Sequence, residues 1–251
     1  HITQYSREAA RAGRVIHLDR TGIVDIPPGN AMYACDAEIP PDSERPQPAV
    51  GSEPALVLKG IGYVYERGTP FEHAALDGVS LAMPRGTSMA VLGPTGSGKT
   101  TLLEIASGVT RPTQGSVSAG NKTVRAMAFQ FPEDQMFGDT VAEYAAFGPR
   151  NMGVPESELA GTVDAALAEV GLDQEAYRMR DPLTLSGGEK RRAALAGVLA
   201  MRPDVLVLDE PFAALDHAGS ALVYGFLDRY VREGGTLLFS THDFDVARRL
   251  S

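Results

Sequence analysis

A glycine-rich stretch, residues 93–100, has the composition of a phosphate-binding loop. It matches G-x-x-x-x-G-K-[ST], a pattern in which glycines let backbone N–H groups approach phosphate oxygens closely. The apolar run 88–92 before it predicts a buried strand, and residues 101–107 predict a helix that ends at Gly108. Because both flanks are correct, a coincidental glycine-rich turn is disfavoured.

Two side chains of this loop have specific chemistry. Lys99 supplies a point charge for the β and γ phosphates of a nucleotide, and Thr100 places a hydroxyl where a magnesium ion would lie. The helix that follows adds the positive end of its dipole. The residues of the loop are Gly93, Pro94, Thr95, Gly96, Ser97, Gly98, Lys99 and Thr100.

A pair of carboxylates follows a second apolar run. Residues 205–208 are continuously apolar, which predicts a strand covered on both faces, and Asp209 and Glu210 come directly after it. Adjacent carboxylates at the end of a buried strand are costly unless they have partners or a function. Asp209 can hold magnesium, and Glu210 can accept a proton from an attacking water.

Two more polar residues stand at the ends of predicted strands. Gln130 follows residues 125–129, and His242 follows the strand-like run 236–240. Each alone is more simply explained as a strand-end or structural polar residue. In an α/β sheet, the residues that follow the carboxyl ends of parallel strands lie in a shared crevice. This favours a common site for Gln130, His242, the loop and Glu210.

Residues 185–189, Leu-Ser-Gly-Gly-Glu, open another predicted helix. Ser186 and Glu189 have the spacing of a capping box, so the helix begins at Gly187 and runs to Met201. Two glycines in the first turn weaken a helix, and a cap does not account for them. They make sense if backbone N–H groups there must approach an anion closely.

The elements that position these residues fall into three parts. Strand-like pieces at 56–58, 61–65 and 79–82 predict an antiparallel sheet ahead of the loop. Helical patterns, including one at 141–147, fill the interval from about 131 to 185. Buried strands and helices then alternate to the end, as in an α/β domain.

Two features of these parts have open interpretations. Tyr65 lies between a strand and a turn, where its ring can stack on a base or be half-buried in the sheet. Residues 132–137 mix acidic, amide and large apolar side chains. They form either a partner-binding loop or a turn with a buried Met and Phe.

The composition excludes several classes of protein. The net charge of −9 argues against a nucleic-acid-binding face, which needs clustered Lys and Arg. The single cysteine, Cys35, excludes an internal disulfide framework and points to a reducing, cytosolic compartment. There is no apolar run of about 18 residues or more, and no secretory pattern. A link with a membrane must therefore go through a partner.

The beginning of the chain differs from the rest. Residues 3–14 are helix-like, and 15–18 and 22–24 predict two short strands around a turn, too little to bury a core alone. Residues 27–54 contain seven of the 17 prolines, which predicts an irregular linker. The compact domain starts at about residue 55.

The motifs in order are GPTGSGKT (93–100), Gln130, LSGGE (185–189), VLVLDE (205–210) and His242. This set resembles the ATP-binding cassette (ABC) ATPases over the whole chain from about Leu56, and LSGGE discriminates them from P-loop kinases and GTPases. The stretches 129–137 and 147–151 resemble the ATPases of energy-coupling factor and cobalt-type importers. The resemblance implies a P-loop NTPase fold with a mixed central sheet, an antiparallel β subdomain and a helical subdomain.

The resemblance also implies roles for individual residues. Lys99 and the loop amides bind the phosphates of ATP, with Thr101 at the α-phosphate and Tyr65 on the adenine. Thr100, Gln130 and Asp209 serve Mg²⁺. Glu210 orients and deprotonates water, and His242 contacts the γ-phosphate. Ser186 and Gly188 close on the nucleotide of a second cassette, and Asp216 lies at the dimer seam. His217 stands where the family usually has Pro.

The two ends of the chain suggest a tandem protein. Residues 3–13 align without a gap on 241–251, with matches at Thr3, Ala9 and Arg11, and Gln4 falls opposite His242. Residues 14–24 resemble the closing strands that the cassette ending at Ser251 lacks. We therefore expect the tail of one cassette (1–26), a linker (27–54) and most of a second cassette (55–251). The tail has a place to dock where those strands belong.

The leading functional prediction is an ATPase that powers a membrane importer at the inner face of the cell membrane. Its expected partners are a second cassette and an integral membrane subunit, contacted through the helical part and the 131–137 loop. The alternatives are a soluble cassette of DNA-repair or translation type, and a cassette that binds ATP but turns over poorly. The acidic charge and the lack of a basic patch argue against a nucleic-acid partner.

Overall fold

The computed structural model describes residues 15–19, 22–26, 53–131, 135–213, 215 and 217–251, with backbone alone for 15–19, 22–26, 217 and 218. The predictions on residues 3–14, on the linker around Cys35, on 132–134 and on Asp216 lie outside the described residues. Within them the chain forms a six-stranded and a three-stranded sheet with helices packed on both.

Buried apolar runs form the centre of the larger sheet. Its order is β2-β1-β5-β9-β8-β7, and the pairs from β1 through β5, β9 and β8 to β7 are parallel. The strands are β1 (Val15–Asp19), β2 (Gly22–Ile26), β5 (Ser88–Leu92), β7 (Arg125–Ala128), β8 (Val205–Leu208) and β9 (Thr236–Ser240). Every residue of β5, β8 and β9 is buried, as continuous apolar runs predict.

The two short strands at the beginning of the chain extend this sheet. β1 pairs in parallel with β5, with Val15 opposite Ala90, and β2 pairs antiparallel to β1. The two predicted strands are therefore confirmed, and each extends slightly further than predicted. A pair of strands too small to bury a core by itself thus pairs with a strand of the main domain.

The smaller sheet is antiparallel, in the order β4-β3-β6, and consists of β3 (Leu56–Tyr65), β4 (His73–Met83) and β6 (Gln114–Ala119). The antiparallel sheet was predicted, but its first two pieces are one strand. Gly60, with φ of 58°, absorbs a register shift between Leu58 and Ile61, so the strand bulges where the sequence pattern breaks. The strand predicted at 79–82 extends back to His73.

Two apolar cores lie on opposite faces of the larger sheet. In β8 the side chains alternate, with Leu206 and Leu208 in one core and Val205 and Val207 in the other. The first core is closed by the helical part of the chain, and the second by the antiparallel sheet and the helix after β5. This alternation is why both faces of the strand had to be apolar.

The helices are α1 (Lys99–Ser107), α2 (Val141–Asn151), α3 (Glu156–Glu169), α4 (Gln174–Tyr177), α5 (Gly187–Leu199), α6 (His217–Arg232) and α7 (Phe244–Leu250). α1 ends at Gly108 with φ of 89°, as predicted. α2 is longer than predicted and contains Pro149, and α5 ends two residues earlier than predicted. Within the described ranges, none of the helices is long and apolar enough to cross a membrane.

Candidate nucleotide-binding site

The parallel strands bring the predicted polar residues to one edge of the sheet. β5, β7, β8 and β9 run in the same direction, so the residues that follow their carboxyl ends are neighbours. These residues are the loop 93–98, Gln130, Asp209 with Glu210, and His242. They are up to 149 positions apart in sequence, from 93 to 242, and the sheet alone unites them.

The loop between β5 and α1 depends on glycine at its last position. Gly98 has φ of 89°, and a Cβ there would lie 2.5 Å from the carbonyl oxygen of Ala75 and 2.9 Å from Cδ2 of Leu76. Gly96 is also left-handed, with φ of 80°, although a Cβ there would meet open space. The loop can therefore pack against β4 only with glycine at position 98, and the left-handed backbone favours glycine at both positions.

The side chain of Lys99 folds back across the loop. Its Nζ donates hydrogen bonds to the carbonyl oxygens of Gly93, at 2.8 Å, and Pro94, at 3.2 Å. These bonds hold the ammonium against the loop whose amides would face phosphate oxygens. An ammonium has three donors, so phosphate can be added to this arrangement without moving the lysine far.

Hard oxygen donors meet beside the loop. Oγ1 of Thr100 donates a 2.6 Å hydrogen bond to Oδ2 of Asp209, and Ser240 donates a short hydrogen bond to Oδ1 of the same carboxylate. Asp209 is only 3% exposed. With Gln130 on the same cavity, a hydroxyl, a carboxylate and an amide oxygen fit Mg²⁺, which is usually held by few protein oxygens together with substrate phosphates.

Glu210 has an unusual backbone and a defined side-chain partner. Its φ is 48°, a left-handed conformation rare for residues other than glycine. Its N–H donates to Oγ of Ser240 at 2.9 Å. Its Oε2 lies 3.0 Å from Nδ1 of His242, whose ring is largely exposed. A partly buried carboxylate with one side on an imidazole is suited to accept a proton from water on the other.

These groups line a cavity of about 320 Å³. Its residues are Tyr65, His73, Ala75, Thr95, Gly96, Gly98, Lys99, Thr100, Thr101, Gln130, Asp209 and Glu210. Five of the eight predicted loop residues, both carboxylates and Gln130 therefore line one cavity, whereas Gly93, Pro94 and Ser97 do not line it. His242 adjoins it through its contact with Glu210.

The structure places Tyr65 at the mouth of this cavity. Its hydroxyl lies 2.9 Å from Oγ1 of Thr101, and its ring is 41% exposed. The ring also packs edge-on against Tyr63, with centroids 4.8 Å apart. A hydroxyl held by α1 and an open ring face leave a flat surface on which a base can stack.

His73 lines the cavity but was missed from the sequence. It stands opposite Tyr65 in the register of β3 and β4. The register of β3 and β4 is the signal that could have identified it. A residue paired with Tyr65 at the end of β3 lies beside the same cavity as Tyr65. The sequence pattern began the second strand six residues later, and so left His73 in a turn.

The 185–189 segment does not line this cavity. The capping box is confirmed, since Ser186 and Glu189 bond each other through backbone and side chain. Hydrogen bonds from the Tyr177 hydroxyl, at 2.5 Å, and from the Ser186 backbone lower the pKa of Glu189 to about 2. The start of α5 is therefore held in place by charged and hydrogen-bonded groups of its own subdomain.

The two glycines of this segment are not required by the chain's own packing. A Cβ at Gly187 or Gly188 would meet nothing within 4 Å, and neither glycine has a positive φ. In contrast to Gly98, these positions face open space. Their small size becomes useful only if another molecule approaches the first turn of α5.

A phosphate-binding loop, oxygen donors for magnesium and a strand-end glutamate on one cavity define a P-loop nucleoside triphosphatase. The family model for the ABC transporter matches residues 76–213. The chain therefore belongs to the ABC transporter family and is an ATPase of that family. The family and the fold predicted from the motifs are confirmed.

Within this family, the chain is similar to ATP-binding proteins of energy-coupling factor transporters. The energy-coupling factor transporter ATP-binding protein EcfA2 of Symbiobacterium thermophilum is 43% identical over 203 residues, covering 76% of this chain and 70% of that protein. EcfA2 of Streptococcus sanguinis is 40% identical over 205 residues, covering 76% of this chain and 73% of that protein.

Solved structures of ABC ATPases are similar to this chain in fold. CbiO1 of Clostridium perfringens, part of the ABC transporter complex CbiONQ, superposes with a TM-score of 0.64 at 34% identity, over 78% of this chain and 81% of that one. A dimeric ATP-binding cassette in a post-hydrolysis state, bound to ADP and Pi, gives 0.68 at 27% identity, over 77% and 90%.

Proposed function

We propose that this chain binds MgATP in the cavity beside residues 93–100 and hydrolyses it to power a membrane importer of the energy-coupling factor type. The observation that carries the proposal is the convergence of Thr100, Asp209 and Glu210 on the cavity of the phosphate-binding loop. Metal-binding oxygens and a proton acceptor are needed at one place for phosphoryl transfer to water.

The chemistry follows from the positions of the side chains. Lys99 and the loop amides hold the phosphates, and Thr100, Asp209 and Gln130 would hold Mg²⁺, which neutralises developing charge on the phosphate oxygens when bound. Glu210 takes a proton from water as the water oxygen bonds to the γ-phosphorus. The bond from that phosphorus to the bridging oxygen breaks, leaving ADP and phosphate. His242 would orient Glu210, which it contacts, and would also contact the γ-phosphate.

The adenine would stack on Tyr65. The open face of that ring at the cavity mouth supports this, and Thr101, tied to the tyrosine hydroxyl, would lie at the α-phosphate. The same hydrogen bond links the antiparallel sheet to α1, so the base and the phosphates would be held by one connected unit.

The second cassette supplies the rest of the site in this proposal. Ser186 and Gly188 stand outside the cavity, at the exposed start of α5, with room for another molecule. We propose that they close on the γ-phosphate held by a second cassette. The dimeric state of a similar cassette with ADP and Pi supports this arrangement.

The membrane partner would contact the helical part of the chain. Phe137, Phe147 and Met152 there are 47%, 49% and 46% exposed. Phe137 packs edge-on against Phe147, with centroids 4.7 Å apart, so the two rings form one apolar surface. With the 131–137 loop, this surface would receive an integral membrane subunit at the inner face of the membrane. We also propose a vitamin, cobalt or nickel importer, and the similarity to the energy-coupling factor protein EcfA2 supports the class of importer.

We also propose that the chain consists of a tail (1–26), a linker (27–54) and a cassette (55–251) with a helical subdomain at about 131–185. Parallel pairing of β1 with β5 supports a tail that belongs with a cassette sheet. The helices α2 to α4 between β7 and β8 support the helical subdomain.

The test is phosphate release by the purified full chain, with and without Mg²⁺, over a range of protein concentrations. We expect Mg²⁺-dependent hydrolysis whose specific rate rises with protein concentration, because two cassettes must meet. Well-folded protein that binds no adenine nucleotide would overturn the proposal. Hydrolysis without any association with membranes that contain the transporter's subunits would favour a soluble ATPase.

A further inference from the structure

A buried arginine lies one turn into α5. Arg191 is only 5% exposed, although arginine is rarely buried without partners. It does not line the nucleotide cavity. Its position on the helix places it just beyond the segment 186–188.

The guanidinium of Arg191 contacts the backbone of the general base. Its Nη2 donates a 2.6 Å hydrogen bond to the main-chain carbonyl oxygen of Glu210. The same oxygen accepts a 3.1 Å hydrogen bond from the N–H of Ala213. Hydrogen bonds from a charged donor are shorter and stronger than neutral ones, so the arginine is the stronger of the two restraints.

The residue that receives this bond needs support. Glu210 has φ of 48°, a conformation that side chains other than glycine adopt at a cost and that persists only when its surroundings enforce it. Ser240 holds the N–H of Glu210, and Arg191 holds its carbonyl. The backbone of the base is thus fixed from two sides by side chains of two other elements.

We propose that Arg191 is a positioning residue for Glu210: its hydrogen bond keeps the left-handed turn that aims the carboxylate at the attacking water. This inference rests on the proposed function, in which Glu210 is the base. Because Arg191 does not line the nucleotide cavity, its proposed effect on hydrolysis is exerted through Glu210.

The placement of Arg191 has a consequence for a pair of cassettes. α5 begins at the residues that we propose to meet the nucleotide of the second cassette, and one turn later it holds the base of its own site. A helix is stiff over this distance. The same helix therefore carries both the proposed contact with the second cassette and the arginine that holds the base.

The experiment compares Arg191→Met and Arg191→Lys with a matched control in the full chain, each with and without Glu210→Gln. The control is Arg125→Met, because Arg125 is partly buried and also donates a hydrogen bond, of 2.9 Å, to a backbone carbonyl, that of Ala106, away from the base. ATP affinity, kcat, KM and melting temperature are measured for each variant.

We expect Arg191→Met to lower kcat by about tenfold to a hundredfold, the scale of a small misplacement of a catalytic group, with KM for ATP within about twofold. Arg191→Lys should lie between the wild type and the methionine variant, because one charged donor remains. In the Glu210→Gln background the Arg191 substitutions should cause no further loss, since the group they position is gone. Arg125→Met should lower the melting temperature without lowering kcat of the folded protein.

Two results would overturn the inference. One is a wild-type kcat in folded Arg191→Met, and the other is an equal fractional loss in both backgrounds, which would mean a general structural role. If the methionine variant does not fold, the same comparison of backgrounds is made with Arg191→Lys, where equal losses or no loss would overturn it. If the wild-type chain itself hydrolysed no ATP, the proposed function would be wrong instead.

Discussion

Nδ1 of His242 lies 3.0 Å from Oε2 of Glu210, although the two residues follow different strands and are 32 positions apart. The exposures of the two side chains differ, at 77% for the imidazole and 12% for the glutamate. The carboxylate is therefore held in the protein while the imidazole lies at the surface. Such a pair can orient the base from one side and leave the other side open to water and phosphate.

Glu210→Gln should remove the proton acceptor and keep the shape of the site. We expect hydrolysis to fall by about 10²- to 10⁴-fold, the usual contribution of a general base, while ATP affinity is retained and ATP-bound dimers accumulate. Phosphate release and size-exclusion chromatography with MgATP measure both effects. Glu233→Gln, at an exposed position after α6, is the control. Unchanged steady-state hydrolysis in Glu210→Gln would contradict the role of the base.

Gly98→Ala and Gly188→Ala should separate folding from function. At Gly98 the new Cβ would lie 2.5 Å from the carbonyl oxygen of Ala75 in a left-handed backbone, so we expect a loss of about 1–3 kcal/mol of stability and weakened nucleotide binding. At Gly188 there is open space, so the melting temperature should not fall. Hydrolysis should fall nevertheless, because the alanine would meet the second cassette. Full hydrolysis in Gly188→Ala would argue against that contact.

Glu189 makes the start of α5 sensitive to acid. Hydrogen bonds from Tyr177 and from the Ser186 backbone lower its pKa from 4.5 to about 2. A lowered pKa in the folded state contributes stability that is present above the unfolded value and is lost as the pH falls toward 2. Tyr177→Phe should therefore lower the melting temperature above about pH 5, with a difference that shrinks toward pH 2. A difference independent of pH over this range would exclude linkage through Glu189.

Phe147→Ser tests the proposed membrane-facing surface. The ring is 49% exposed and packs on Phe137, so its loss should cost little stability and much of the apolar contact. We expect less of the chain to sediment with membranes that contain the transporter's subunits, while hydrolysis in solution stays within about twofold. Phe71→Ser, at a 77% exposed position between β3 and β4, is the matched control. Equal sedimentation of both variants would place the contact elsewhere.

Local patterns were sufficient for much of the fold. The runs 88–92, 205–208 and 236–240 were recognisable as strands because both faces of each are covered, which requires continuous apolar sequence. The capping box at the start of α5 and the glycine at the end of α1 are signals within a few residues of each other. The extent of β3 was not recognisable, since the bulge at Gly60 breaks its alternation and only pairing with two neighbours restores it.

The sequence by itself determined the family and the residue types of the site, because the loop 93–100 and the carboxylates at 209 and 210 are short motifs whose chemistry depends on adjacent residues. Only the tertiary structure placed His73 on the cavity, paired β1 with β5, and set Arg191 against the carbonyl of Glu210. These contacts join positions that no local periodicity relates. They depend on the register and direction of strands and helices that meet only when both cores are buried.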